Sequence, residues 1–117
     1  MNKELKTILG NSIKVGSKSI PVEHITYTGK SKTFVTWTML QETPSLNADD
    51  EPIYSVAEVD IDVFSDSNYL DIMKEIKKLM KENEWLWVED SPEMYEEDTE
   101  LYHRTITFEK ERFIDNG

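Results

Sequence analysis

Between Ile53 and Met80 the spacing of apolar residues changes period. Ser55, Ala57, Val59, Ile61 and Val63 fall on one side of an extended chain. Tyr54, Val56, Glu58, Asp60, Asp62 and Phe64 fall on the other, the alternation of a half-buried strand. Beyond Asp66-Ser67-Asn68, the residues Tyr69, Ile72, Met73, Ile76, Leu79 and Met80 recur three and four apart, as on one face of a helix. Asn68 is the favoured N-cap, with Asp71 three positions on as a capping-box variant. Lys74, Lys77, Lys78 and Lys81 populate the later turns and suit the negative end of the helix dipole. A long strand feeding an amphipathic helix predicts a sheet-plus-helix domain onto which the rest of the chain packs.

The flanking segments fill in that outline. Lys3–Leu9 predicts a short helix with Leu5, Ile8 and Leu9 on one side and Gly10-Asn11 as its stop. Ile13–Ile20 is rich in Lys, Ser and Gly, and Pro21 follows; it reads as a connector with at most one short strand. Val22–Thr28 and Thr33–Gln41 flank Gly29-Lys30-Ser31-Lys32 and predict a hairpin. Val35, Trp37 and Met39 form the inward set of its second arm; Phe34 and Leu40 lie on the side of Thr36 and Thr38. Glu42–Pro52, with two prolines and four acids, reads as a loop. Glu84–Asp90 places Trp85 and Trp87 on one side and Leu86 and Val88 on the other. A strand apolar on both faces is central in a sheet or covered by a neighbouring subunit. Trp85–Asp90 and Leu101–Glu109 are expected to pair antiparallel across a long acidic loop. The elements add up to one α+β domain over residues 1–117, with an antiparallel or mixed sheet of about four to five strands and one long and one short helix.

Composition narrows the chemistry. The chain has 117 residues, 13 basic against 24 acidic, for a net charge of -11. So negative a surface argues against non-specific binding to nucleic acid, which needs Lys and Arg to replace phosphate counterions. It favours solubility through self-repulsion, a docking surface for a basic partner, or a mimic of nucleic acid. Zero cysteines excludes disulfides and thiolate metal sites. No apolar run reaches the ~20 residues of a membrane helix, and the N-terminus lacks a signal-peptide core, so a cytosolic protein is expected.

Few residues suggest a reaction. Glu58, Asp60 and Asp62 share one side of a strand and would suit Mg²⁺ in a nuclease-like site, yet the following VFSDSN offers no Lys or His partner. The alternative is the exposed face of an amphipathic strand. His24 and His103 lack zinc-ligand spacing. Gly29-Lys30-Ser31 lacks the upstream glycine and the following helix of a phosphate-binding loop. The acidic run Glu89–Glu100 lacks the alternating Asx pattern and central Gly of a calcium loop. No metal site, cofactor or catalytic residue is expected. The apolar strands Phe34–Leu40 and Trp85–Val88, with Tyr54, Val56 and Phe64, carry more aromatic surface than one small core hides, unless a second helix covers them. Aromatic residues of this kind are common interface anchors.

The order VDIDVFS, a short polar gap, DIMKEIKKLM, WLWVED, an acidic loop and YHRTITFEKER, preceded by FVTWTML, resembles the tail-terminator, or tail-completion and head–tail joining, proteins of long-tailed bacteriophages and prophages. The resemblance covers roughly residues 33–113 and is one of pattern rather than catalytic motif. It implies a non-enzymatic structural subunit with helices packed on one face of the sheet. Such subunits form a homo-oligomeric ring, commonly a hexamer, that caps the tail tube and meets the head connector. The implied partners are copies of itself, the major tail protein and the head-completion protein, with DNA passing through the ring. The implied location is the virion neck, after assembly in the bacterial cytoplasm. The expected contact surfaces are Trp37, Trp85 and Trp87 with the Glu42–Pro52 and Ser91–Glu100 loops, represented by Asp49, Asp50, Glu96 and Glu97. The competing expectation is an acidic inhibitor or nucleic-acid mimic that occupies a basic partner.

Overall fold

The computed structural model describes residues 2–46 and 52–113, with side chains described over 3–42 and 55–111. Among these residues the chain forms α1 (Asn2–Leu9), β1 (Ser12–Val15), β2 (Lys18–His24), β3 (Phe34–Leu46), β4 (Pro52–Ser65), α2 (Leu70–Glu82), β5 (Leu86–Asp90), β6 (Met94–Glu96) and β7 (Leu101–Phe113). All seven strands join one mixed sheet, ordered β1-β2-β3-β4-β7-β5, with β6 also on β7. The expected count of four to five strands is therefore too low. The two additional strands are β1 and β6. Each is short and lies in a polar passage, where local alternation is weak.

β1 and β2 form a hairpin whose turn uses Gly16 at φ +64, and Ile13 and Ile20 face each other across it, both buried. Pro21 sits inside β2 rather than breaking it. The Val22 N–H donates to the Asn11 carbonyl, so the alternation of an antiparallel ladder turns Pro21's missing donor away from β1. The expected hairpin between Val22–Thr28 and Thr33–Gln41 does not form, because β2 and β3 pair in parallel. Their overlap is only Val22–His24 against Val35–Trp37, so residues 25–33 need to return about 10 Å and manage it without a helix. Gly29 has no positive φ; instead Tyr27's ring lies where a Cβ on Gly29 would project.

β3 and β4 pair antiparallel over nearly their whole length, from Phe34↔Phe64 to Leu46↔Pro52. Of the expected loop Glu42–Pro52, residues 42–46 and 52 are strand and 47–51 lie outside the described residues; Pro44 is accommodated because β3 is an edge past Trp37. β4 then pairs along β7, so the long alternating segment read from the sequence stands at the centre of the sheet.

α1 ends as its sequence predicts. Gly10 takes φ +65 and its N–H reaches the Lys6 carbonyl at 2.8 Å. α2 starts one residue later than expected. Tyr69 is its N-cap and makes no side-chain cap bond, while Asn68 Oδ1 accepts from the Leu70 N–H at 3.0 Å in an Asx turn. The far end closes in a Schellman motif: Trp85 N–H reaches the Met80 carbonyl, Glu84 N–H reaches the Lys81 carbonyl, and Glu84 takes φ 69.

α2 touches both β1 and β5, the two outermost strands of the order. A flat sheet of that width would span about 24 Å, twice a helix diameter. Contact at both edges therefore requires the sheet to curl round the helix, and it forms a half-barrel. Ile72, Met73, Ile76 and Met80 of α2, with Leu5 and Leu9 of α1, pack on its concave side against Val22, Val35, Trp37, Ala57, Val59, Ile61, Val63, Ile106 and Phe108.

Candidate functional site

β5 and β6 run along the same side of β7, opposite Ile106–Glu109 and Leu101–His103 respectively. Together they make one broken outer arm of the sheet. A bulge between Trp87 and Glu89 interrupts it first. A jog at Ser91-Pro92-Glu93 interrupts it again, where Ser91 bonds Thr105 through both its N–H and its hydroxyl, and its carbonyl accepts from Arg104 Nε at 2.9 Å. Only Glu97–Glu100 remain as a loop, closed by the Glu100 N–H on the Glu96 carbonyl with Glu100 at φ 58.

Five of the nine exposed large apolar side chains among the described residues lie on this arm. Leu86, Trp87, Val88, Met94 and Tyr95 are exposed along it, Leu86 at 63% and Trp87 at 56%. Bulges and scattered charge are how an edge strand avoids indiscriminate pairing, and both are present here. The arm is nevertheless joined to α2 by polar side chains. Lys77 Nζ pairs with Asp90 at 2.9 Å and lies 4.8 Å over the Trp87 ring, while Trp87 Nε1 donates to Asp90 at 2.9 Å. Further along, the Tyr69 hydroxyl donates to Glu93 at 2.6 Å. Burial pushes the Tyr69 phenol above its usual range, and the bond to Glu93 adds to the shift. Between α2 and the arm lies a groove of about 390 Å³ lined by Lys77, Lys81, Trp85, Leu86, Trp87 and Phe108. Pre-positioned aromatic surface beside a groove suits recognition of another macromolecule, because little side-chain freedom is left to lose on contact.

The three tryptophans expected at an interface separate. Trp37 is 1% exposed and its ring stacks on His24 at 4.1 Å. Trp85 is 2% exposed, precedes β5 rather than belonging to it, and closes the end of α2 against the core. Both are sealed within one subunit, which corrects the expectation that they make contacts between subunits. Trp87 alone of the three presents its ring. Glu96 and Glu97 lie exposed at the tip of the arm, whereas Asp49 and Asp50 fall outside the described residues. Met94 and Tyr95 were hidden in the sequence by the acids around them. Their signal was an apolar pair inside the run Glu93–Asp98.

The convex face holds the residues considered for metal chemistry. Asp60 accepts from the Thr107 hydroxyl at 2.6 Å; Asp62 accepts from the Thr105 hydroxyl at 2.5 Å and contacts His103 Nε2 at 2.9 Å. Among the described residues, no group of three or more His, Asp or Glu gathers at metal-binding range. Above these pairs Tyr27, Phe34, Phe64 and His103 stack in a continuous row, with ring centroids 4.3, 4.7 and 4.1 Å apart. Phe34 of β3 and Phe64 of β4 are thus covered by one another and by Tyr27 and His103.

These features define a curled sheet-and-helix domain whose outer arm leaves large apolar side chains exposed. A family model described as a protein of unknown function (DUF806) matches residues 4–112, and the chain belongs to that family. No curated protein matches it.

Proposed function

We propose that this protein is a ring-forming structural subunit of a long-tailed phage or prophage, which ends the tail tube and joins it to the head connector. The observation that carries this is the outer arm. Leu86, Trp87, Val88, Met94 and Tyr95 stand uncovered along it, yet Asp90 is tied back to α2 and Glu93 to its N-cap, Tyr69. A surface tied back in this way and left apolar is suited to a protein neighbour. The likeness of VDIDVFS, DIMKEIKKLM and YHRTITFEKER to the tail-completion proteins supplies the kind of neighbour. The test is deletion of the gene from the phage that encodes it. Headless tails with tubes of unregulated length, corrected by the intact gene supplied separately, are expected. Normal tailed particles from the deletion would overturn the proposal.

One observation favours a second reading, an acidic inhibitor of a basic protein. Glu89, Glu93, Glu96, Glu97, Asp98 and Glu100 are all exposed on the outer arm or its loop, as a ridge of carboxylates would be. That reading requires tight one-to-one capture of a DNA-binding protein. The apolar strip beside the carboxylates is what it leaves without a role.

A further inference from the structure

The strand order separates charge along the sheet. From Ser12 to Thr33, covering β1, β2 and the return to β3, there are four basic residues, Lys14, Lys18, Lys30 and Lys32, against the single Glu23. From Glu84 to Glu100, along the outer arm, there are eight acidic residues and no Lys or Arg. β1 and β5 are the two ends of the order, so the basic and acidic stretches occupy opposite edges. All four lysines are exposed, as are Glu89, Glu96, Glu97, Asp98 and Glu100. None of these nine forms an ion pair among the described residues.

We infer that the outer arm of one subunit seats against the β1–β2 edge of a second copy, so that subunits join head to tail. The inference rests on the ring reading above and names its contact. A two-fold pairing through outer arms would set one acidic run against another, and pairing through β1 edges would set lysine against lysine. A head-to-tail relation brings opposite signs together at every contact in a chain whose net charge of -11 otherwise drives copies apart. It also uses both edges of every sheet, covering Trp87 and Leu86 in the process. Such a heterologous contact can repeat until a ring closes, which a two-fold contact cannot do. The polar attraction selects the partner and register, while the apolar strip supplies buried area.

The experiment is sedimentation of the intact chain and of two exposed-charge variants, Lys14→Glu with Lys18→Glu and Glu96→Lys with Glu97→Lys. The wild type is expected to associate more strongly at low salt than at high salt. Each variant alone should associate on the order of tenfold or more weakly, since like charges then meet. An equimolar mixture of the two should regain association, because each basic face finds an acidic one on the other variant. Unchanged thermal melting of both variants shows that folding is intact. In parallel, the cysteine-free chain carrying Lys14→Cys and Glu96→Cys should give a ladder of trimers and larger species with a flexible bifunctional thiol cross-linker, and each single cysteine nothing beyond dimers. Wild-type rings with both charge variants unaffected and no ladder would overturn this contact while leaving the ring reading standing. A wild-type chain that stays monomeric at every concentration, and also on tail tubes, would overturn both.

Discussion

Trp37 and Trp87 sit on two strands of one sheet under opposite constraints. Trp37 lies on β3 between β2 and β4, within the core and stacked on His24, 1% exposed. Trp87 lies on β5, which has a strand on one side only, and Lys77 and Asp90 fix its ring without covering it. Residue type is the same; position in the sheet decides the role. The centre uses bulk to exclude water and so holds the fold, whereas the edge holds its bulk in place and leaves it uncovered.

That contrast can be tested by removing each side in turn. Trp37→Ala should destabilise the fold by about 3–5 kcal/mol in urea denaturation, since the surrounding strands cannot close the void. A loss that size approaches the whole stability of a domain of this length. Trp87→Ala should shift stability by less than about 1 kcal/mol, because an exposed ring leaves no cavity, and should instead weaken self-association in sedimentation. A large loss of stability in that variant would show that Trp87 belongs to the core after all.

Asp62→Ala probes the convex face, where one carboxylate serves both Thr105 and His103. Its removal should cost about 1–2 kcal/mol, measured in the same denaturation, because both partners lie half-buried. Glu84→Gly and Glu100→Gly act in the other direction. Each residue holds a left-handed backbone that glycine adopts freely, so each change should raise stability by about 1 kcal/mol. Gains at both positions in the same denaturation would show that the two left-handed turns are strained as glutamates.

The smallest effect concerns pH. The Tyr69 phenol is raised in the folded chain from an ordinary value of 10.0, so folding favours its neutral form. That contribution is intact below about pH 10 and is lost as pH rises through the folded value. Tyr69→Phe should therefore show a shallower loss of stability above about pH 10 than the wild type, followed by circular dichroism. Identical alkaline profiles would mean that burial and Glu93 do not bear on its proton.

Much of this architecture was legible in the residues. The alternation from Ser55 to Phe64, the helical spacing from Tyr69 to Met80, the stop at Gly10 and the antiparallel partnership of β5 with β7 follow from period, caps and turn residues, which act over a few positions. The alternation of β4 also identified its buried face correctly, down to Ala57, Val59, Ile61 and Val63. What the pattern lacked was the identity of each strand's neighbour. β2 and β3 looked like a hairpin because a glycine-containing polar stretch separates two apolar runs, and period carries no information on strand direction.

The same limit governed the candidate interface. Trp85 and Trp87 share a parity and looked equivalent, but the Schellman turn ending α2 removes Trp85 from the strand and swings it into the core. Sequence by itself determined the type of the strongly periodic segments, β4 and α2 above all, and which face of each is apolar, since those depend on neighbours a few residues away; β1, β6 and the far half of β3 lie in polar passages where that signal fails. Tertiary structure decided which strand is an edge, which tryptophan remains uncovered and that lysines and carboxylates stand at opposite ends of one sheet. Those depend on contacts between residues far apart in the chain, and burial is a property of the contact rather than of the residue.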